Sequence, residues 1–221
     1  SSPGPSDTDP FAWFEVTPES RLRLYLAKVE MGQGIHTALA QIGAEELGMA
    51  VADLEVVQAS THTGPNDSFG TAGSSSVSGL YDALRQAAAT LRQLLQDEAA
   101  IALDVVPEAL VIRRNGFFLA NQPTTGIEFA PLVARKSVWE IPDELPPLKA
   151  VADFQVIGTP APRLDIPAKV TGQTGYGYDK RLEGMLYGAV ARPPRIEAKL
   201  TGAAEGTALT LPSVRQVVIR E

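Results

Sequence analysis

The sequence predicts an α+β fold built as two units. Two helical periodicities interleave with short strand signals in the first 134 residues, a proline-rich crossing follows, and the texture changes after about residue 157. With 221 residues, 44% of them apolar, the chain is long enough to bury a real core.

Residues 1–10, rich in Ser, Pro and Asp, read as a flexible lead-in. Ala12–Val16 and Leu22–Ala27 mix apolar and aromatic residues with charge and read as strands. Ile35, Leu39, Ile42 and Met49, with Ala38 on the same face, predict an amphipathic helix over Gly34–Met49. Leu54–Ala59 is a strand, and residues 60–78 form a polar Ser/Thr/Gly/Asn loop. A long helix, Gly79–Leu103, takes its stripe from Leu80, Leu84, Ala87, Leu91, Leu94 and Ile101. Leu110–Arg113 and Phe117–Ala120 flank Asn115-Gly116, a hairpin signal. Gly126–Ala134 reads as a short helix. Five prolines between residues 137 and 163 mark a linker or surface crossing. Beyond it, Tyr176–Tyr178, Gly184–Ala191 and Val214–Ile219 read as strands, with short helices at Asp165–Val170 and Gly202–Ala208. The resulting division is 11–140, a linker at 141–156, and 157–221.

Composition removes several function classes. A net charge of −7 argues against a nucleic-acid partner. No apolar run approaches the roughly 20 residues of a membrane helix, so no membrane span is expected. Cysteine is absent, which removes thiolate nucleophiles, Cys-bound zinc and an iron–sulfur cluster held by this chain. With two histidines, His36 and His62, an imidazole-rich metal site is not expected.

Two segments could carry chemistry. In Val29-Glu30-Met31-Gly32-Gln33-Gly34-Ile35-His36-Thr37 a glycine-flanked turn joins a strand to a helix, where N–H groups and the helix dipole favour an anion. The polar run Thr61 to Ser76 also ends at a helix start, with Ser74, Ser75 and Ser76 as caps or phosphate partners. Two helix starts in one unit point to a joint anion site; a plain turn and a flexible loop are the blander readings. His36 and His62 read as local hydrogen-bonding residues rather than bases. Of Glu45 and Glu46, one is expected to face solvent and the other to form a structural pair. Arg163, Asp165, Lys169 and Asp179 read as surface charge and interdomain pairing. There is no P-loop, no dinucleotide fingerprint and no paired-His motif.

The run from Lys28 to Leu39, followed by Ala44-Glu45-Glu46-Leu47-Gly48, resembles the large molybdenum-cofactor subunit of the xanthine dehydrogenase/aldehyde oxidase superfamily, in the branch typified by the isoquinoline 1-oxidoreductase beta-subunit. The loop Thr61 to Ser76 matches the family's second motif. Gly158-Thr159-Pro160, Arg163-Leu164-Asp165, Pro167 to Gly172, and Tyr176 through Gly188 to Arg192-Pro193-Pro194 resemble the opening of its α/β-hammerhead domain. The resemblance spans about residues 12–221. Here the hammerhead-like stretch follows the glycine–glutamine motif, the rearranged order associated with that branch.

The resemblance implies a molybdopterin-binding α/β unit followed by an α/β-hammerhead-like domain. It implies that Gly32, Gln33, Gly34, His36, Thr71, Ala72, Gly73, Ser74, Ser75 and Ser76 contact molybdopterin cytosine dinucleotide, with no metal ligand from this chain. The implied reaction is hydroxylation of an aldehyde or N-heteroaromatic substrate, with electrons leaving through 2Fe–2S clusters on a small partner subunit, and with a cytochrome c as a further acceptor. The other partner is the remainder of the large subunit. The implied compartment is periplasmic, by a twin-arginine export route, and otherwise cytoplasmic.

Two departures bear on activity. Family large subunits run several times the length of the hammerhead, and their glutamate base has no counterpart at Glu197, Glu205 or Glu221. The chain thus reads as an N-terminal portion, inactive alone, with no assignable catalytic residue. The competing readings are a non-catalytic scaffold or assembly protein that keeps the fold, and a general phosphate-ligand module.

Overall fold

The computed structural model describes residues 9–60, 62–65, 67, 70–192 and 195–219. Most of the expected lead-in, and Thr61, Asn66, Ser68, Phe69, Pro193 and Pro194 of the quoted motifs, lie outside the described residues. The architecture is α+β, and the chain divides into two units, Ser1–Thr174 and Gly175–Glu221.

The first unit opens with a helical turn, α1 (Pro10–Trp13), where the sequence predicts strand. Asp9 caps it, its carboxylate accepting from the Phe11 N–H, and Pro10 at the first helical position has its backbone angle preset for a helix. Strand β1 (Phe14–Val16) then pairs antiparallel with β2 (Leu22–Leu26). β2 alternates buried Leu22, Leu24 and Leu26 with half-buried Arg23 and Tyr25, so one face meets the core. Helix α2 (Ile35–Leu47) crosses back to β3 (Leu54–Gln58), which lies parallel to β2. The sheet order is β1-β2-β3.

Helix α3 (Ser76–Leu103) begins three residues before the predicted start and packs along α2. Its buried stripe is Leu80, Leu84, Ala88, Leu91, Leu95 and Ala99. The expected Leu94 is half-buried and Ile101 is exposed, because a period of 3.6 continues from Leu91 to Leu95 rather than Leu94. Gly48 and Asp104 end α2 and α3 in left-handed conformations.

A second sheet, order β4-β5-β6, holds β4 (Leu110–Arg113), β5 (Gly116–Leu119) and β6 (Gly126–Glu128). The hairpin loop is Arg114-Asn115, one residue earlier than the Asn-Gly signal implies. Gly116 is needed for another reason: a Cβ there would stand 2.2 Å from the Ile127 carbonyl oxygen of the neighbouring strand. The helix expected over Gly126–Ala134 is split into β6 and α4 (Phe129–Val133), because Gly126–Glu128 completes the sheet first.

Residues 149–165, expected as linker and the start of a second unit, belong to the first. They form a strap along α2, and the short helix α5 (Ile166–Val170) follows. Thr37, Gln41 and Glu45, spaced four apart on one face of α2, receive it. One Glu45 carboxylate oxygen accepts from the N–H groups of Gln155, Val156 and Ile157 at 2.9, 2.6 and 3.0 Å. Gln41 donates to the Val156 and Thr159 carbonyls, both at 3.0 Å, and the Thr37 hydroxyl accepts from the Leu164 N–H at 3.0 Å.

Neither Glu45 nor Glu46 faces solvent; both are buried and both are paired. Lys149 Nζ lies 2.9 Å from Glu45. Arg85 lies 2.6 Å from Glu46, and its guanidinium carbon lies 5.2 Å from the Tyr81 ring centroid and 5.0 Å from that of Phe154. Taking two adjacent carboxylates out of water requires such partners, and an isolated-helix reading of sequence cannot supply them.

In the second unit the described residues form no strand. Its regular elements are two single 3-10 turns, Gly177–Asp179 and Ala208–Thr210. The strands expected at Tyr176–Tyr178, Gly184–Ala191 and Val214–Ile219, and the helix at Gly202–Ala208, are absent among the described residues. Pairing makes a strand, and apolar residues such as Tyr178 and Ile196, at 95% and 96% exposure, find no partner face here. No helix among the described residues is long and apolar enough to cross a membrane.

Candidate functional site

Because β2 and β3 run parallel, the loops that leave their C-terminal ends emerge on the same edge of the sheet. One loop leads into α2 and the other into α3. Among the described residues, Lys28 and Val29 tie them together. Lys28, at the end of β2, is buried and places its ammonium 2.6 Å from the Asp67 carboxylate and 2.6 Å from the Gly70 carbonyl. The Val29 N–H donates to the Thr71 hydroxyl at 2.8 Å. Neither Lys28 nor Asp67 is legible as a site residue in the sequence; a Lys just before a glycine turn carries no signal of a partner 39 positions away.

The two helix starts differ. At α2 the anion position is filled from within. Glu30 Oε1 accepts from Gly32 N–H at 2.8 Å and Gly34 N–H at 2.9 Å, and its Oε2 from His36 N–H at 3.3 Å. Burial pushes this carboxyl up, but the three N–H groups outweigh it and hold it below its ordinary value. Gly34, the N-cap, is left-handed at φ 80°, so glycine is required there. The Gln33 amide is turned onto its own loop, accepting from Met31 N–H at 2.6 Å and donating to the Val29 carbonyl at 2.8 Å. His36 bonds the Lys28 carbonyl through Nε2 at 2.8 Å, the local role expected of it.

At α3 the position is open. The N-cap Ser75 makes no side-chain cap bond, since its hydroxyl donates to the Ala72 carbonyl at 3.0 Å, and the first turn holds no acidic residue. Among the described residues no acceptor faces the N–H groups of Ser76, Val77 and Ser78. Those groups and the dipole of a 28-residue helix favour an anion.

Between the loops lies a cavity of about 570 Å³. Of the sequence-predicted residues, Gln33 and Gly34 line it from the first loop, and Thr71, Ala72, Gly73, Ser74 and Ser76 from the second. Gly32, His36 and Ser75 are not among the residues that line it. Met31, Ile35, Ala38 and Val77 supply its apolar part. Gly73 is left-handed at φ 64°, and a Cβ on it would project into open space.

Among the described residues the wall carries no carboxylate, imidazole, amine or thiol, and no group of three His, Cys, Asp or Glu side chains could hold a metal ion. Such a wall offers N–H groups, hydroxyls and an amide to bind and orient a ligand. His62 lies elsewhere, against a second depression beside Glu15 and Tyr25.

These features fit a phosphate-bearing cofactor, and comparison with known proteins agrees. Residues 2–179 match the molybdopterin cofactor-binding domain family. The chain is 39% identical over 180 residues to a nicotinate dehydrogenase subunit of Pseudomonas putida, covering 81% of this chain and 15% of that protein. It is 33% identical over 202 residues to a membrane-bound aldehyde dehydrogenase (pyrroloquinoline-quinone) of Gluconacetobacter polyoxogenes, covering 88% and 25%. It is 28% identical over 259 aligned positions to the beta subunit of isoquinoline 1-oxidoreductase from Brevundimonas diminuta, covering 99% and 33%. Among solved structures, quinoline 2-oxidoreductase from Pseudomonas putida 86 is similar with a TM-score of 0.41 at 29% identity, over 54% of this chain and 15% of that one. The chain thus spans between 15% and 33% of the length of these curated relatives. With the greater part of its length matched and its two loops walling one cavity, the chain belongs to the molybdopterin cofactor-binding domain family.

Proposed function

We propose that this chain contributes the dinucleotide-binding loops of a molybdenum-dependent oxidoreductase that hydroxylates an aldehyde or an N-heteroaromatic compound, with the cofactor in its cytosine dinucleotide form. The observation that carries the proposal is the open first turn of α3 facing a cavity walled by both loops. When bound, the molybdenum cofactor supplies the redox centre.

The residues of this chain hold and orient. The N–H groups of Ser76, Val77 and Ser78 receive the diphosphate, Gly73 lets backbone approach it, and Ser74 and Ser76 add hydroxyl donors. Glu30 keeps the diphosphate away from α2 and leaves that loop for uncharged parts of the cofactor. Gln33 can reach them once its amide turns from Met31 and Val29. Proton transfer falls to residues outside this wall.

Two relatives are named as subunits, which supports a multi-subunit setting. The partners in this reading are a subunit carrying 2Fe–2S clusters and, beyond it, a cytochrome c, and the compartment is the periplasm. Residues 175–219 take the role of the opening of a hammerhead-like unit, whose apolar side chains pack against further sheet.

The test is composition. The chain, produced in cells that make the cofactor, is purified and denatured, and the released nucleotide and molybdenum are quantified. Cytidine nucleotide together with molybdenum is the expected result. Neither, from this chain or from a longer product containing it, would sink the proposal.

A further inference from the structure

The strap along α2 ends at Arg163, and Arg163 ends at the glycine loop. Its Nη1 donates to the Gly32 carbonyl at 2.8 Å, across 131 positions of sequence. Its other nitrogens grip Asp165 as a fork, Nε to Oδ1 at 2.9 Å and Nη2 to Oδ2 at 2.6 Å. Lys169 braces the same carboxylate from one turn along α5. The guanidinium lies against Gly34, 3.8 Å from where a Cβ would stand, and Nη2 is 3.7 Å from Glu30 Oε1. The Asp165 carboxyl is held well below its ordinary range, chiefly by Arg163 and then by Lys169. These groups lie at the surface, as the sequence suggests, and Arg163 additionally reaches the glycine loop.

Gly32 is therefore clamped on both sides. Its N–H is held by the Glu30 carboxylate and its carbonyl by the Arg163 guanidinium. Those two groups belong to the two peptide planes that flank the Gly32 Cα, so fixing both fixes the backbone of a residue at φ 107°. The second plane leads directly into Gln33. Bonds to charged partners are the stronger kind, and a planar fork anchored on Asp165 aims its remaining N–H with little freedom.

We propose that Arg163 is the positioning residue of the Gly32–Gly34 turn: anchored by Asp165 and carried there by the strap on α2, it sets the peptide orientation from which Gln33 and Gly34 meet the ligand. Its bearing on ligand binding rests on the function proposed above; its hold on the turn does not.

The experiment follows the 1H–15N amide resonances of Gly32 and Gly34 and their hydrogen exchange in the unliganded 221-residue chain, alongside binding of cytidine diphosphate. Arg163→Gln should speed exchange at both glycines by about tenfold or more while the interior of α2 keeps its protection. Arg163→Lys, which keeps a cationic donor, should restore part of the protection. Cytidine diphosphate should bind Arg163→Gln more weakly than the unchanged chain. Unaltered glycine shifts and exchange in Arg163→Gln would overturn the proposal. If that variant loosens all of α2, Asp165→Asn decides: faster exchange confined to the turn supports the proposal, and unchanged exchange overturns it. Failure of the unchanged chain to bind the nucleotide counts against the function alone and leaves the exchange result to judge Arg163.

Discussion

The Lys28 ammonium and the Asp67 carboxylate sit 2.6 Å apart with side chains only 4% and 10% exposed, joining the end of β2 to the loop that leads into α3. This pair is one of the ties between the two cavity walls. Removing one member leaves a buried charge. Lys28→Met or Asp67→Asn should therefore cost about 3–5 kcal/mol, read from urea unfolding midpoints. The double variant Lys28→Met/Asp67→Leu should recover much of that loss.

Glu45 gives the chain a defined acid sensitivity. Burial pushes its carboxyl up, but the Val156, Ile157 and Gln155 N–H groups and the Lys149 ammonium outweigh it and bring it down to about 2, from an ordinary 4.5. Folded-state depression means the stabilisation is complete above about 4.5 and is lost as pH falls toward 2. Glu45→Gln should be less stable by about 3 kcal/mol at neutral pH. Its stability should also fall less steeply than the unchanged chain's between those two values. Parallel pH curves for the two proteins would refute this account.

The open end of α3 can be tested by filling it. Ser78 is exposed in the first turn, where no acidic residue stands. Ser78→Asp should stabilise the unliganded chain by about 0.3–1 kcal/mol through the helix dipole. The same variant should weaken cytidine diphosphate binding several-fold in calorimetry. A variant that gains stability and keeps its affinity would place the phosphate elsewhere.

Two glycines should respond in opposite directions to alanine. A Cβ on Gly116 would overlap the Ile127 carbonyl, so Gly116→Ala should cost about 1–3 kcal/mol or more. Gly79 lies inside α3 with nothing within 4 Å of its would-be Cβ, and Gly79→Ala should gain about 0.5–1 kcal/mol. Thermal melts of the two variants settle both signs.

Local patterns carry much of this structure in the sequence. The Ile35, Leu39 and Ile42 spacing gives α2, a mix of apolar, aromatic and charged residues gives β2, and glycine-rich segments before two helical patterns give two helix starts in one unit. What escapes reading is long-range. Nothing near Glu30 says that its carboxylate folds back onto Gly32 and Gly34 and closes one of the two anion positions. Nothing near Glu45 says that three backbone N–H groups more than 100 residues later will converge on it. Arg163 and Asp165 look like solvated charge until the strap is laid along α2. The strands expected beyond residue 175 fail for the complementary reason: propensity is present and pairing is not.

The strap also sets an order of events during synthesis. Until residues 149–157 have emerged, Glu45 lacks its partners, so the face of α2 that carries it cannot close over. The sheet and both helix starts are then complete in sequence while the unit still lacks its last stabilising contacts. Long loops must be closed before those contacts reward folding. A chain ending at residue 148 should accordingly show helical signal but broad, weakly cooperative melting. The full chain should acquire protease resistance only after its strap docks.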